Sequence, residues 1–252
     1  MNTEKRDVFS KVPEITLIFW IIKILATTLG ETGGDCVSMS MNLGYLVGTG
    51  IFAVIFIVAV GVQISTRKFH PVIYWTTIVA TTTVGTTMAD FADRSLGIGY
   101  AGGTAILLTL LMASLFIWYR TLGSVAVDTV STPKSEVFYW VTIMFSQTLG
   151  TALGDWTADT AGIGYGDGVV VFAVILGAIA AAYYWTKISH TVLFWAAFIL
   201  TRPLGAVAGD FLDKPASDGG MALSRYSASA ALIVLMVSCI FVFSHKPARR
   251  TH

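Results

Sequence analysis

Four tryptophans set the frame of this chain. Trp20, Trp75, Trp140 and Trp195 each stand ten residues before a glycine (Gly30, Gly85, Gly150, Gly205) and fifteen before an aspartate (Asp35, Asp90, Asp155, Asp210). Four matches at three positions with one internal spacing identify a repeat, and a repeat restricts the fold to copies of one unit packed on each other. The tryptophans are 55, 65 and 55 residues apart, so the halves are offset by 120. The same offset matches Gly44-Tyr45 with Gly164-Tyr165, Gly48 with Gly168 and Phe52 with Phe172. The ten extra residues fall around Ser124–Lys134. That loop divides a first half, 1–131 (repeats 1 and 2), from a second half, 132–252 (repeats 3 and 4), expected to form one integrated domain.

Composition says what the unit is. Of 252 residues, 55% are hydrophobic and 12% charged, against about 25% charged in soluble domains. A soluble enzyme, a disordered chain and a nucleic-acid binder are excluded, the last because net charge is only +1. Two cysteines, Cys36 and Cys239, make no disulfide framework. Eight apolar runs suit helices of about 20 residues that cross a bilayer: 14–33, 44–64, 72–89, 100–119, 136–154, 168–186, 190–209 and 222–243. Residues 1–13 are polar and no cleavable leader is expected. The expected fold is an all-α membrane protein of eight transmembrane helices, arranged as four two-helix hairpins. An even number of helices per copy makes the copies parallel, around a pseudo-rotation axis along the membrane normal. Lys5, Arg6, Lys11, Arg67, Lys68, Arg120, Lys134, Lys187, Lys246, Arg249 and Arg250 fall on one side of this arrangement. Only Arg94, Lys214 and Arg225 fall on the other, which predicts cytoplasmic termini.

The repeated aspartates carry the chemistry. Each has an acidic companion nearby: Glu31/Asp35, Asp90/Asp93, Asp155/Asp159 and Asp210/Asp213. Spacings of three and four put both carboxylates on one helix face if the helix continues that far. All eight would gather at the C-terminal ends of the odd helices, where the helix dipole disfavours anions. Lys23, Arg94, Arg202 and Lys214 are the basic residues expected to compensate, leaving protons or bound cations to do the rest. The plainer reading makes each Asp a turn residue or the cap of the following helix.

Three residues before each repeated glycine the side chain is polar: Thr27, Thr82, Gln147 and Arg202. This series reads as a ring lining a path. An isolated intramembrane arginine is costly, so Arg202 is expected to pair with a carboxylate, with Asp210 as the trial partner. Lys23 is expected to snorkel to the cytoplasmic face, or else to face the path. Gly30, Gly85, Gly150 and Gly205 are assigned to close helix packing, and the tryptophans to an interfacial belt or to packing between copies. The GYxxG elements (Gly44–Gly48, Gly99–Gly103, Gly164–Gly168) are assigned to turns and packing.

No HExxH, CxxC or Ser-His-Asp pattern appears, and no organic cofactor or enzymatic activity is expected. Clustered carboxylates suit Mg²⁺, Mn²⁺ or Ca²⁺. The string VPEITLIFWIIKILATTLGETGGD resembles the motif VPE…FW..K…TT.GET..D of an uncharacterised family of bacterial multispan membrane proteins with repeated two-helix units. That resemblance implies a bacterial inner-membrane location and places Glu31 and Asp35 in the family's motif. The expected function is a small secondary transporter for a cation. Its cargo is a divalent, manganese-like metal, exported in exchange for protons through Glu31, Asp35, Asp90, Asp155 and Asp210, with Asp93, Asp159 and Asp213 as a second tier. The alternatives are a proton-coupled carrier of an organic cation, or a membrane scaffold or sensor with a structural ion. Expected partners are the lipid bilayer and a cation or proton, with no nucleic acid. The ring is complete in one chain, so a monomer is expected, with a dimer left open.

Overall fold

The computed structural model describes residues 10–248; Lys5, Arg6, Arg249 and Arg250 lie outside them. Eight α-helices are present among the described residues, with no strand: α1 (Leu17–Asp35), α2 (Gly44–Ser65), α3 (Pro71–Asp90), α4 (Tyr100–Leu122), α5 (Pro133–Asp155), α6 (Tyr165–Trp185), α7 (His190–Asp213) and α8 (Arg225–Val242). Local chemistry fixes several starts. Thr16 caps α1 by accepting from the Phe19 N–H, Pro71 and Pro133 open α3 and α5, and Thr132 and Ser135 form a capping box.

The odd helices form an inner ring in which α1 packs on α3, α3 on α5, α5 on α7 and α7 on α1. Each even helix packs outside the odd helix of the next copy: α2 on α3, α4 on α5, α6 on α7, and α8 back on α1. The two helices of a copy make little contact with each other. The repeat is therefore a strap across the neighbouring copy, not the self-packed hairpin that the sequence suggests. All eight helices lie where the apolar runs place them, but only six are long and apolar enough to cross a membrane. α3 and α5 fall short because polar side chains dilute their apolar runs; like α1 and α7 they lie inside the ring, where most of their hydroxyls find protein partners. The even helices turn long apolar faces outward, including Val54, Ile57, Phe116 and Val174.

The repeated glycines make the ring. A Cβ on Gly30 would overlap Thr82, one on Gly85 would crowd Gln147, one on Gly150 would overlap Arg202, and one on Gly205 would overlap Thr27. Each glycine thus admits the polar side chain of the next copy, and the fourth contact closes the cycle. Hydroxyls seal the same seams: Thr82 donates to the Ala26 carbonyl at 3.2 Å and Thr27 to the Thr201 carbonyl at 3.2 Å.

One end of the ring is plugged by aromatic side chains. Phe19, Tyr74, Tyr139 and Phe194 occupy equivalent positions and are all buried, with the Tyr74 and Tyr139 hydroxyls 2.6 Å apart. Trp75, Trp140 and Trp195 are buried beside them, so three of the four repeated tryptophans pack between copies and form no interfacial belt. Residues 12–14 and 246–248 pair at this end: Glu14 N–H donates to the Lys246 carbonyl and Ala248 N–H to the Val12 carbonyl. The loop between the halves joins them, since Lys11 N–H donates to Val130 and the Trp195 indole to Val125. Lys11 itself is buried, 2.6 Å from Glu136, and so is a structural ion pair as well as a flanking charge.

Candidate cation-binding site

The other end of the ring holds the acids. Asp35, Asp90 and Asp155 are the last residues of α1, α3 and α5, and each is followed by a five-residue π turn: Cys36–Ser40, Phe91–Ser95 and Trp156–Thr160. Such turns mark local departures from α geometry and recur at functional sites. None of the three caps a following helix. In the fourth copy α7 stays α-helical through Asp210 to Asp213. The plain cap reading fails, and the acids sit where the helix dipole opposes them.

The ring closes these residues on each other. Asp35, Asp90, Asp155 and Asp210 are buried, as is Glu31. Glu31, Asp35 and Asp90 bring carboxylate oxygens within 4.8 Å of one another; so do Glu31, Asp155 and Asp210, and so do Asp35, Asp210 and Asp213. Glu31 thus links two of three overlapping triads. Of the second tier, Asp213 belongs to a triad and Asp93 is buried against Gly103. Asp159 is exposed and accepts from the Tyr165 hydroxyl at 2.9 Å.

Four cations interleave with these eight acids. Arg94 spans Asp90 and Asp155, at 3.1 Å from each. Lys214 lies 3.2 Å from Asp210 and 3.6 Å from Asp35, and Arg225 lies 2.8 Å from Asp213 and 3.6 Å from Asp35. Lys214, just past the end of α7, is desolvated, which disfavours its charge. Asp210 and Asp35 outweigh that and hold its ammonium above the ordinary lysine range. The three basic residues expected to be exceptions to the charge asymmetry are therefore all site residues.

Arg202 is the fourth cation, and its partner is Glu31 rather than Asp210: Nη2 lies 2.8 Å from Glu31 Oε2, with the Thr86 and Thr151 hydroxyls, both at 2.5 Å, competing for its two N–H groups. Glu31, Thr86, Thr151 and Ala206 hold equivalent positions, one residue after the repeated glycines. The guanidinium rises from the Thr27, Thr82, Gln147 layer into the centre of this next one. Asp210 is instead held by Lys214 on its own helix.

Lys23 does not snorkel. It is fully buried, with Nζ 4.2 Å from the Phe198 ring centre, because its layer partners Ile78, Ile143 and Phe198 enclose it. It is not among the site's charges; Arg225 takes its place in the count. Thr27, Thr82 and Gln147 are buried at ring seams, so the polar series is one of interhelical contacts.

Sequence reasoning missed Arg225, which reaches Asp35 only because α8 folds back onto α1. It also missed the tyrosines of the GYxxG elements. Tyr45 and Tyr100 accept hydrogen bonds from Arg94 at 3.1 and 2.9 Å. The repetition of Tyr45, Tyr100 and Tyr165 was the available signal. The glycines there act as expected: Gly44, Gly99 and Gly164 have φ of +76°, +76° and +81°, a region open to glycine. Cys36 and Cys239 are free.

Unpartnered carboxylate oxygens define the chemistry left over. Asp35 Oδ1, Asp90 Oδ2, Asp155 Oδ1 and Asp213 Oδ1, one from each copy, are buried without a hydrogen-bond donor or an ion-pair partner, as are both carboxylate oxygens of Asp93. Asp90 Oδ1 and Asp210 Oδ1 lack a well-directed hydrogen bond but lie 3.1 and 3.2 Å from Arg94 and Lys214. No curated protein and no solved structure matches the chain. A family model matches four successive stretches, residues 18–69, 73–124, 138–189 and 193–246, each containing one odd and one even helix. By these four repeats the chain belongs to the family described as Repeat of Unknown Function (DUF347).

Proposed function

We propose that the protein is a small secondary transporter for a divalent, manganese-like cation, exchanged for protons at the carboxylate ring. The observation that carries this reading is the set of buried, donorless oxygens on Asp35, Asp90, Asp155 and Asp213, one from each copy. A buried acceptor without a partner is costly, and carboxylates gathered in triads within 4.8 Å suit cations that take oxygen ligands. Glu31 and Asp210 complete the donor sets of those triads. A carboxylate is also a proton site, so one group serves both cargo and counter-ion.

The reading takes the odd helices through a bacterial inner membrane in one sense, with the aromatic end and both termini in the cytoplasm. The outward apolar faces of the even helices and the basic connections at the aromatic end support it. The aromatic plug closes the inner side, the acids at the other end are themselves buried, and export is the proposed direction. The organic-cation alternative is less favoured, because the Tyr45 and Tyr100 rings already face Arg94, at 5.9 Å. The test is Mn²⁺ flux into proteoliposomes under an imposed pH gradient. Flux that follows the gradient and vanishes in Asp35→Asn/Asp155→Asn is the expected result. Stoichiometric binding without flux would replace the transporter with a scaffold or sensor.

A further inference from the structure

Between the acids and the aromatic plug lies a layer with the opposite imbalance. Lys23 Nζ, Ser146 Oγ, both amide atoms of Gln147, and Arg202 Nε and Nη1 are buried without hydrogen-bond partners. All four residues have 0% relative exposure. They lie on α1, α5 and α7, within one helical turn of equivalent positions. Phe198, whose ring faces Lys23 Nζ, precedes Arg202 by one turn. Gln147 precedes Thr151, which receives Arg202 Nη2, by one turn.

The unmet groups are mostly donors. Lysine and arginine have no acceptor atoms, so neither can satisfy the other. Arg202 pairs with the Glu31 carboxylate through Nη2 alone, and Lys23 has no carboxylate partner. Buried charges are ordinarily paired, and a lysine facing an aromatic ring retains unmet donors. A ligand here must therefore accept hydrogen bonds, carry negative charge and be small enough for four tightly packed helices.

We propose that this layer is a binding site for a small monovalent anion of halide size, held by Lys23, Ser146, Gln147 and Arg202. The site adjoins the carboxylate ring through Arg202 but does not rest on the cation reading. The anion neutralises Lys23 and takes up the free edge of Arg202, leaving Nη2 to Glu31.

The probe is bromide. Full-length protein in detergent is transferred from sodium gluconate to sodium bromide at constant sodium and ionic strength, and its thermal unfolding is followed. The cation composition of the buffer is thereby unchanged. A saturable rise in Tm is expected for the wild type and none for Lys23→Met. Gln147→Glu supplies a built-in anion and is expected to fold, to be more stable without bromide than the wild type, and to lose the bromide response. No response in the wild type means that water alone fills the layer and overturns the proposal. An equal response in Gln147→Glu overturns it too, because the effect would then be one of bulk salt. Gln147→Glu decides the matter even if Lys23→Met does not fold.

Discussion

Arg202 is fully buried, and its one anionic partner is Glu31, 2.8 Å away. Truncating it would leave the Glu31 carboxylate in the ring without a counter-charge, and breaking a buried pair from one side costs about 3–5 kcal/mol. Arg202→Ala is therefore expected to lower unfolding stability in detergent by roughly that amount. Adding Glu31→Gln to it should recover most of the loss, whereas adding Asp210→Asn should recover none, because Asp210 pairs with Lys214. Arg202→Lys should fail to restore wild-type stability, since an ammonium lacks the planar fork that leaves one edge on Glu31 and the threonines. That Arg202 needed a carboxylate was legible in the sequence. Which carboxylate was not, because the choice depends on a rotation of the side chain into the layer above its own. Lys23 was misread for a related reason: its distance from the helix start permits snorkelling, but α3, α5 and α7 close over it.

At the scale of the helix, the repeated glycine is a contact and Gly33 is not. Gly30 admits Thr82, while Gly33 on the same helix has nothing within 4 Å of an added Cβ. Gly30→Ala is expected to cost about 1–3 kcal/mol by overpacking. Gly33→Ala should be neutral or stabilising by about 0.5–1 kcal/mol, the helix preference for alanine. Chemical denaturation of the two variants side by side checks the contrast; equal effects would show that the seam does not depend on this glycine. Helix existence and extent were readable from the apolar runs. The π turns were not, since nothing in CVSMS, FADRS or WTADT distinguishes a widened turn from an α-helical one. Asp35, Asp90 and Asp155 were nevertheless found, because repetition at a fixed spacing from Trp and Gly does not depend on turn type.

Over the whole molecule, the outer layer of even helices is closed by α8 lying on α1. Ser229 Oγ donates to Thr32 Oγ1 at 2.9 Å across that contact. Thr32→Cys/Ser229→Cys, in a background with Cys36 and Cys239 replaced by alanine, is expected to form an intramolecular disulfide under mild oxidation, read as a mobility shift on a gel. Crosslinking only between molecules would mean that α8 leaves its own chain to complete a neighbour. The sequence revealed four copies and their order but not this strapping, because an apolar helix face does not name its partner. The same gap hid Arg225, whose approach to Asp35 and Asp213 follows from where α8 is laid down.

The central claim is that the carboxylate ring binds a divalent cation, and equilibrium stability tests it most directly. Thermal unfolding of the purified protein is measured across Mg²⁺, Ca²⁺, Mn²⁺, Fe²⁺, Co²⁺, Ni²⁺ and Zn²⁺, for wild type and Asp35→Asn/Asp155→Asn. An ion bound only by the folded state adds about 2.7 kcal/mol at a hundredfold excess over Kd. The account predicts a saturable rise with Mn²⁺ in the wild type that the double variant loses. A wild-type stability unmoved by every ion, or a Mn²⁺ response that survives both substitutions, would contradict it.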